Sequence, residues 1–281
     1  MKNLIYLLPL ASMLSLSNCG GAEHDHSHES AAADSTSEST ELNDTTKFKF
    51  DFAIANIPSP ANRMHDIVAL GVPYDSSILN DTRKVKTYTT EFKKGINMGI
   101  YNMDMAYAMM SDAGQDVLNY MKTIIMLSDA LGMQSSINSM VGKRFESNID
   151  NKDSLFSVWD EILIKSDVYL RNNQRVQTAA TVFTGSWLES LYLSCKAGEK
   201  LQDPALKAKV RNNLWEQRLH LGNLVKLLSD FQSDKEIAAL LNDLDPIHQE
   251  IIINRQPSEL SDEDMSSISA KIYALRDKTT D

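Results

Sequence analysis

The stretch from Gly95 to Met110 constrains the fold more than any other part of this 281-residue chain. When it is wound at 3.6 residues per turn, apolar side chains fall on every side, which is typical of a helix that is buried all round. The strongly polar residues within it are Asn97, Asn102 and Asp104. We therefore expect a central helix against which the other elements of the chain pack.

A second stretch later in the chain resembles the first. Gly99-x-Tyr101 aligns with Gly185-x-Trp187 at an offset of 86 residues. In both stretches a glycine is followed two residues later by a large aromatic residue and then by a run of apolar residues. This similarity predicts an internal duplication in which the two stretches occupy equivalent positions.

A second pair of segments supports the duplication. Residues 126–130 (Met-Leu-Ser-Asp-Ala) align with residues 227–231 (Leu-Leu-Ser-Asp-Phe) at an offset of 101. An insertion around residues 196–210 accounts for the larger offset. We therefore predict two repeats, at about residues 88–172 and 174–277.

The rest of the chain also has the pattern of consecutive helices, because apolar residues recur at helical spacing and most Gly and Pro residues stand between segments. The expected helices are Pro60 to Gly71, Thr89 to Ser111, Gln115 to Leu131, Ser135 to Ile149, Ser154 to Arg171, Arg175 to Ala197 and Asp203 to Phe231.

Two segments with the spacing of capping boxes, Ser233 to Glu236 and Ser261 to Asp264, predict two further helices. Pro246 is expected to kink or split the first of these. Gly198 is expected to end the helix from Arg175 to Ala197. Residues 48–52 alternate at period two and are expected to pack as an extended arm.

No convincing strand alternation is found elsewhere, so the predicted body, residues 46–281, is all-α. We expect two pseudo-repeated four-helix units that form a helical bundle or a short TPR-like array after a disordered tether.

The N-terminal residues carry a targeting signal. Residues 1–18 have a basic start and an apolar run too short to span a bilayer, which is typical of a secretion signal. Leu16-Ser17-Asn18-Cys19 resembles the lipobox of bacterial lipoproteins, in which the Cys is lipidated and becomes the mature N-terminus. The alternative is an ordinary cleaved signal peptide that happens to end near a Cys.

The lipobox resemblance implies a protein anchored in a membrane of a Gram-negative cell, outside the cytoplasm. Gly20 after the Cys implies the outer membrane, at its periplasmic or its cell-surface face. The chain as a whole is similar to helical envelope lipoproteins that have no assigned activity, and this similarity transfers no functional residue.

Most of the acidity belongs to the segment after the signal. Residues 20–45 contain seven acidic residues and no Lys or Arg, whereas 27 basic and 31 acidic residues follow from residue 46 onward. Rich in Ser, Thr, Ala and Glu, residues 19–45 are expected to form a disordered tether. A chain without a concentrated basic surface is not expected to bind nucleic acid, so membrane contact is assigned to the lipid anchor.

The tether also contains a short histidine tract, His24, His26 and His28. Alternating imidazoles can bind Zn or Cu weakly, but a flexible chain imposes no fixed geometry. A solvated polar tail is the alternative, and no other cofactor is predicted.

The acidic residues Asp104 and Glu189 are the main candidates for chemistry, because each lies on an otherwise apolar helix. If the repeats pack about a pseudo-twofold axis, the two carboxyl groups could face one another, for acid–base work or for holding a cation. Structural use is the favoured alternative, since buried acids are usually paired. The basic partners considered are Arg144, Arg171, Arg175 and Arg218.

Glycines at matched positions in two helices indicate close helix packing or access for a ligand. The candidate pocket between the two central helices is lined by Gly99, Tyr101, Asp104, Met105, Gly185, Trp187 and Glu189.

Sulfur-containing residues have a structural explanation. Nine methionines fall between Met98 and Met140, and although thioethers can bind Cu(I), their helical spacing among apolar residues favours a role in the core. Cys195, the Cys left after lipidation, is expected to be a small buried residue, because no activating base or cation is identified near it.

Motifs of known catalytic sites are not found, including His-Glu-x-x-His, Cys-x-x-Cys and Gly-x-Ser-x-Gly. The leading hypothesis is a non-catalytic, lipid-anchored envelope protein that binds a protein, a peptide or another envelope component. The alternative is a small-molecule or metal-binding protein that uses the pocket between the central helices. An enzyme that uses the pair of acids is a more distant third hypothesis.

Overall fold

The computed structural model describes residues 46–47, 49–51, 60–133, 143–145, 147–148, 151–254 and 256–281. The predicted signal peptide 1–18, Cys19, the predicted tether 19–45 with its histidines, and most of the helix expected at 135–149 lie outside these residues.

The described residues are all-α, as predicted, and no strand occurs among them. The α-helices are α1 (Pro60–Val68), α2 (Glu91–Met110), α3 (Gly114–Ala130), α4 (Lys152–Asn172), α5 (Val176–Lys200), α6 (Pro204–Leu228), α7 (Lys235–Ile252) and α8 (Asp262–Thr280).

Helices α2 and α5 form the centre of the body and make the most extensive helix–helix contact in the described part. They run parallel, because Gly95 of α2 lies against Thr181 of α5 and, further along both helices, Ile96 lies against Gly185. Every residue of α2 from Gly95 to Met109 is buried. An in-register parallel pair is what a duplication about a twofold axis would give; the repeats themselves stay a prediction.

Several helix ends follow the sequence signals. The Thr90 hydroxyl accepts a hydrogen bond from the Lys93 amide (3.1 Å) and caps α2. Asp203 caps α6, which has Pro204 in its first turn. Ser261 and Asp264 form the predicted capping box at the start of α8.

Three details of the helices differ from the sequence prediction. Helix α5 continues through Gly198 to Lys200. This glycine serves packing instead, since a Cβ atom there would lie 3.1 Å from the Val210 side chain. Asp234, rather than Ser233, caps α7, and α7 continues past Pro246 without a break.

The arm expected at residues 48–52 is helical where it is described. Residues 46–47 and 49–51 are helical, and Thr46 and Phe50, one turn apart, are buried. Asp230 holds this segment by accepting hydrogen bonds from the Thr46 hydroxyl (2.8 Å) and from Lys49 Nζ (2.6 Å). The prediction of an extended arm was wrong because burial of Phe50 and Thr46 on one helical face outweighs the local alternation.

The connection between α1 and α2 is folded closely onto the body, which the sequence did not indicate. It contains two 3₁₀ turns, Ser76–Ile78 and Thr82–Lys86, which begin after the capping residues Asp75 and Asp81. Buried between and after these turns are Asn80 and Tyr88, which contribute to the polar centre described below.

The helices of the described ranges were also compared with the length and hydropathy of membrane spans. None is both long and apolar enough to cross a bilayer.

Candidate functional site

The two predicted glycines lie at the point where α2 and α5 touch. A Cβ atom added to Gly99 would lie 2.0 Å from the Val182 carbonyl oxygen, and one added to Gly185 would lie 1.9 Å from that of Ile96. The Ser186 hydroxyl also donates to the Gly99 carbonyl (3.2 Å). The two backbones are therefore in direct contact, as the sequence predicted, and no space for a ligand remains between them at this point.

Beyond this contact, Asp104 of α2 and Glu189 of α5 come together. Both are fully buried, and their carboxyl groups are within hydrogen-bonding reach of each other. The Asn80 backbone amide donates to Asp104 Oδ2 (3.1 Å), whereas Oδ1 receives no donor from the described residues. Two adjacent carboxylates offer each other only acceptors, so a proton on one of them would complete the pair.

Asp104 is the member of this pair that favours the protonated form. Burial, and then the charge of Glu189, raise the pKa of Asp104 well above its usual range, and both effects outweigh the opposing charge of Arg276. A protonated Asp104 is neutral and can donate its proton to the Glu189 carboxylate.

The positive charge at this centre comes from Arg276 near the end of α8. Arg276 Nε donates to Glu189 Oε2 (3.1 Å) and Nη2 donates to Glu189 Oε1 (3.3 Å), in a two-point contact. Its guanidinium also lies over the Tyr192 ring, 4.5 Å from the ring centre. Burial opposes the charge of Arg276, but the Glu189 carboxylate outweighs it and raises the pKa above its usual value. We name Asp104, Glu189 and Arg276 the buried triad.

The basic partners proposed from sequence were wrong. Arg144 pairs with Glu161, Arg171 pairs with Asp51 and Asp167, and Arg175 pairs with Glu91. Arg218 stacks on Trp215 instead.

A sequence signal for Arg276 existed but was not used. Arg276 continues the stripe of Ile268 and Ile272 at helical spacing, and both of these residues are buried. A charged residue on the buried stripe of a helix needs a partner in the core.

A network of polar side chains surrounds the triad and joins three separate parts of the chain. Asn97 donates from Nδ2 to the Thr279 carbonyl (2.8 Å), and Tyr88 donates to the Thr280 carbonyl (3.2 Å). Asn80 Nδ2 donates to Asn97 Oδ1 (3.1 Å). These bonds hold the last turn of α8 and the segment before α2 against α2 itself.

The phenols of this network are also held by the backbone. Tyr101 donates to the Asp81 carbonyl (2.8 Å), and Tyr120 donates to the Asn80 carbonyl (3.2 Å). Burial raises the pKa of both phenols above their usual value. Neutral, hydrogen-bonded phenols in the core act as positioning groups for the segment that carries Asn80.

The remaining candidate residues are part of the core. Met105 is fully buried, and Trp187 is 4% exposed with its indole N–H donating to Gln217 Oε1 (3.0 Å). Cys195 is buried, and burial raises the pKa of its thiol to about 11. The thiol is therefore protonated at neutral pH, in agreement with the expected structural role.

Metal binding was considered for the described residues, and no group of three or more His, Cys, Asp or Glu side chains in these ranges is arranged to hold an ion. His24, His26 and His28 lie outside them, as does Cys19.

Comparison with known proteins gives no relative. No protein-family model matches the chain, and neither the curated proteins nor the solved structures include one that is detectably similar.

Proposed function

We propose that this chain is a non-catalytic, lipid-anchored protein of the Gram-negative outer membrane whose helical body binds a protein or peptide partner. The observation that carries the proposal is the closure of the buried triad. Asp104 and Glu189 are fully buried, and the donors that reach them, Asn80 and Arg276, belong to the chain itself.

Catalysis at the triad would require contact between an acid and a substrate. A general acid or base must come within hydrogen-bonding reach of the proton that it transfers. The triad instead joins α2, α5 and α8, and its charges neutralise one another if Asp104 is protonated. This supports a structural centre, and it leaves recognition to the surface of the body.

The surface at the α6–α7 end carries the most exposed large apolar side chains of the described body. Leu219 is 61% exposed and Ile253 is 71% exposed. The Trp215 indole N–H, one turn before Leu219, donates to the carbonyl of Asn254, the residue after Ile253 (3.0 Å), so α6 contacts the end of α7 here. Arg218 lies over the Trp215 ring, 3.2 Å from its centre.

The composition of this surface favours a protein partner. Trp and Arg are enriched at the energetically important positions of protein interfaces, and exposed apolar side chains add to binding when a partner covers them. We therefore assign Trp215, Arg218, Leu219 and Ile253 to the partner-binding surface.

The anchor is tested by Cys19→Ala in the full chain, expressed in a Gram-negative host with labelled palmitate. We expect the unchanged chain to incorporate the label and to fractionate with the outer membrane. The Cys19→Ala variant should lose both properties. Label or membrane association that persists in Cys19→Ala would exclude lipidation at this residue.

The partner surface is tested by placing a photo-crosslinking amino acid at position 253 in the full chain and irradiating intact cells. We expect a discrete protease-sensitive adduct from position 253 and none from position 122, where Lys122 is exposed on α3. The same adducts from both positions, or none from position 253, would contradict the assignment.

A further inference from the structure

A cleft lies between α5, α6 and α8, and its walls include neither Gly99 nor Gly185. It encloses about 500 Å³. Ligand-binding clefts commonly enclose roughly 300 to 1,000 Å³, so the volume suits a small organic molecule. None of the residues expected to line the pocket between α2 and α5 contributes to its wall.

The floor of the cleft is mainly apolar. It is formed by Cys195, Val210, Met265 and Tyr273. Cys195 and Val210 are buried. Gly198 lets α5 and α6 approach closely at the floor, since a Cβ atom there would lie 3.1 Å from Val210. Because the pKa of the Cys195 thiol is raised to about 11 by burial, the floor carries no charge at neutral pH.

The rim of the cleft carries two cations of α6, Lys207 and Arg211, one helical turn apart. In the part of the chain that the structure describes, Lys207 forms no ion pair. Arg211 Nη2 donates to Asp262, whereas Arg211 Nε is buried and has no acceptor among the described residues. The Arg211 guanidinium at the cleft wall therefore has donor capacity beyond its contact with Asp262.

The acids of the rim are already engaged. Glu199 accepts hydrogen bonds from the Tyr273 hydroxyl (2.8 Å) and from Lys196 Nζ (3.4 Å). Asp262 accepts from Arg211, although its own side chain is 91% exposed. Asp262 is thus a carboxylate of the chain itself that occupies one edge of the guanidinium from the solvent side.

We propose that this cleft binds a small organic carboxylate with a compact apolar body. The carboxylate receives hydrogen bonds from the Arg211 guanidinium and Lys207 Nζ, and the apolar body lies on Met265 and Tyr273. Charge-assisted hydrogen bonds from Arg and Lys are the strong class of polar contact, and the apolar floor adds burial of the body. Asp262 competes with the ligand for Arg211. This small-molecule site is separate from the partner-binding surface.

The test uses octanoate, titrated into the purified full chain and followed by the Met265 methyl resonance, which Met265→Leu identifies. We expect a saturable shift with a dissociation constant on the order of 0.1 to 1 mM, as for a ligand of about ten heavy atoms. Octan-1-ol, which lacks the charge, and acetate, which lacks the apolar body, should each bind at least about tenfold more weakly.

Variants locate the site. Lys207→Gln and Arg211→Gln should each weaken octanoate binding about tenfold, whereas Lys209→Gln, on the exposed part of the same helix, should leave it unchanged. Ala270→Trp at the exposed rim should block the cleft. Circular dichroism establishes that each variant is folded.

Asp262→Asn should change the affinity for octanoate in the opposite direction. Removal of the competing carboxylate should strengthen octanoate binding severalfold. Equal affinity for octanoate and octan-1-ol would overturn the proposal, and so would the absence of a Met265 shift up to 10 mM octanoate. Unchanged binding in Lys207→Gln and Arg211→Gln, or weaker binding in Asp262→Asn, would overturn it as well.

Discussion

Helices α2 and α5 are alike in their packing and different in their electrostatics. Each is mostly buried, each contributes one glycine to the direct backbone contact, and each carries one fully buried acid. Glu189 of α5 faces a guanidinium, whereas Asp104 of α2 faces a backbone amide and the Glu189 carboxyl group.

The difference shows how two acids can share one apolar core. An ionised carboxylate can be buried at moderate cost if a cation binds it in two places, and a second acid can be buried beside it if it is neutral. The contact of Arg276 with Glu189 and the raised pKa of Asp104 therefore favour an asymmetric pair, in which the acid of α5 is ionised and the acid of α2 is protonated.

Removal of Arg276 should break this arrangement with the largest effect. Arg276→Met keeps the volume but leaves two buried acids without a cation, so we expect a loss of about 3 to 5 kcal/mol in the free energy of unfolding. Urea denaturation at neutral pH measures it. Lys278→Met is the control, because its ion pair with Asp243 is mostly exposed and should contribute at most about 1 kcal/mol. Equal losses in both variants would show that the buried ion pair of Arg276 contributes no more stability than the exposed pair of Lys278.

The packing half of the comparison is tested by Gly99→Ala and Gly185→Ala. In each variant the new Cβ atom meets a backbone carbonyl at about 2 Å, which side-chain movement cannot relieve. We expect both to lose about 3 kcal/mol, measured as the fall in urea stability.

Gly95→Ala is the matched control on α2. Its Cβ atom would lie 3.4 Å from a Thr181 methyl group, which is ordinary contact. This variant should be neutral or more stable by up to about 1 kcal/mol, since Ala favours the helix over Gly. A similar loss in all three variants would mean that the close contact is not the cause.

Much of this fold could be predicted from sequence, because the signals are local. The buried nature of α2 and the cap at Ser261 follow from residues close in the chain, and the glycine contact with α5 follows from the similarity of two segments 86 residues apart. The pairing of Glu189 with Arg276 was not assigned, because the stripe of Ile268 and Ile272 indicates that Arg276 is buried but does not indicate its partner.

The folded segment before α2 was missed for the same reason. Asn80 and Tyr88 lie in a segment without periodicity. Tyr88 bonds to the Thr280 carbonyl at the far end of the chain, and Asn80 bonds to Asn97, which in turn donates to the Thr279 carbonyl. The α5–α6–α8 cleft was missed because its lining residues, such as Cys195, Arg211 and Tyr273, come from helix faces that no single segment identifies.

The asymmetry of the acids is tested by comparing Glu189→Gln with Asp104→Asn. Glu189→Gln deprives Arg276 of its carboxylate, and we expect a loss of about 2 kcal/mol because Asp104 can ionise as a substitute. Asp104→Asn resembles the protonated acid and keeps an acceptor for the Asn80 amide, so its loss at pH 7 should be under about 1 kcal/mol. A larger loss of urea stability in Asp104→Asn than in Glu189→Gln would indicate that Asp104, rather than Glu189, carries the negative charge.

The pH dependence of the free energy of unfolding tests whether Asp104 is protonated in the folded protein. Because the pKa of Asp104 is raised on folding, the native state binds more protons than the unfolded state above about pH 4. The stability that Asp104 contributes is therefore complete below about pH 4 and falls as the pH rises towards the native-state pKa. Relative to Asp104→Asn, the unchanged chain should lose stability from pH 4 to pH 8 in urea denaturation. A difference that stays constant with pH would exclude a proton on Asp104.

The smallest effect concerns the start of the two helices, where α2 and α5 also differ. The Thr90 hydroxyl caps α2, whereas Arg175 precedes α5 without a side-chain cap. Thr90→Ala should lose about 1 kcal/mol, because the Lys93 amide loses its acceptor. Thr89→Ala, one residue earlier and exposed, is the control and should change urea stability by less than about 0.5 kcal/mol. An equal effect of the two variants would mean that the Thr90 cap adds no stability to the start of α2. The start of α2 would then resemble the start of α5, which has no side-chain cap.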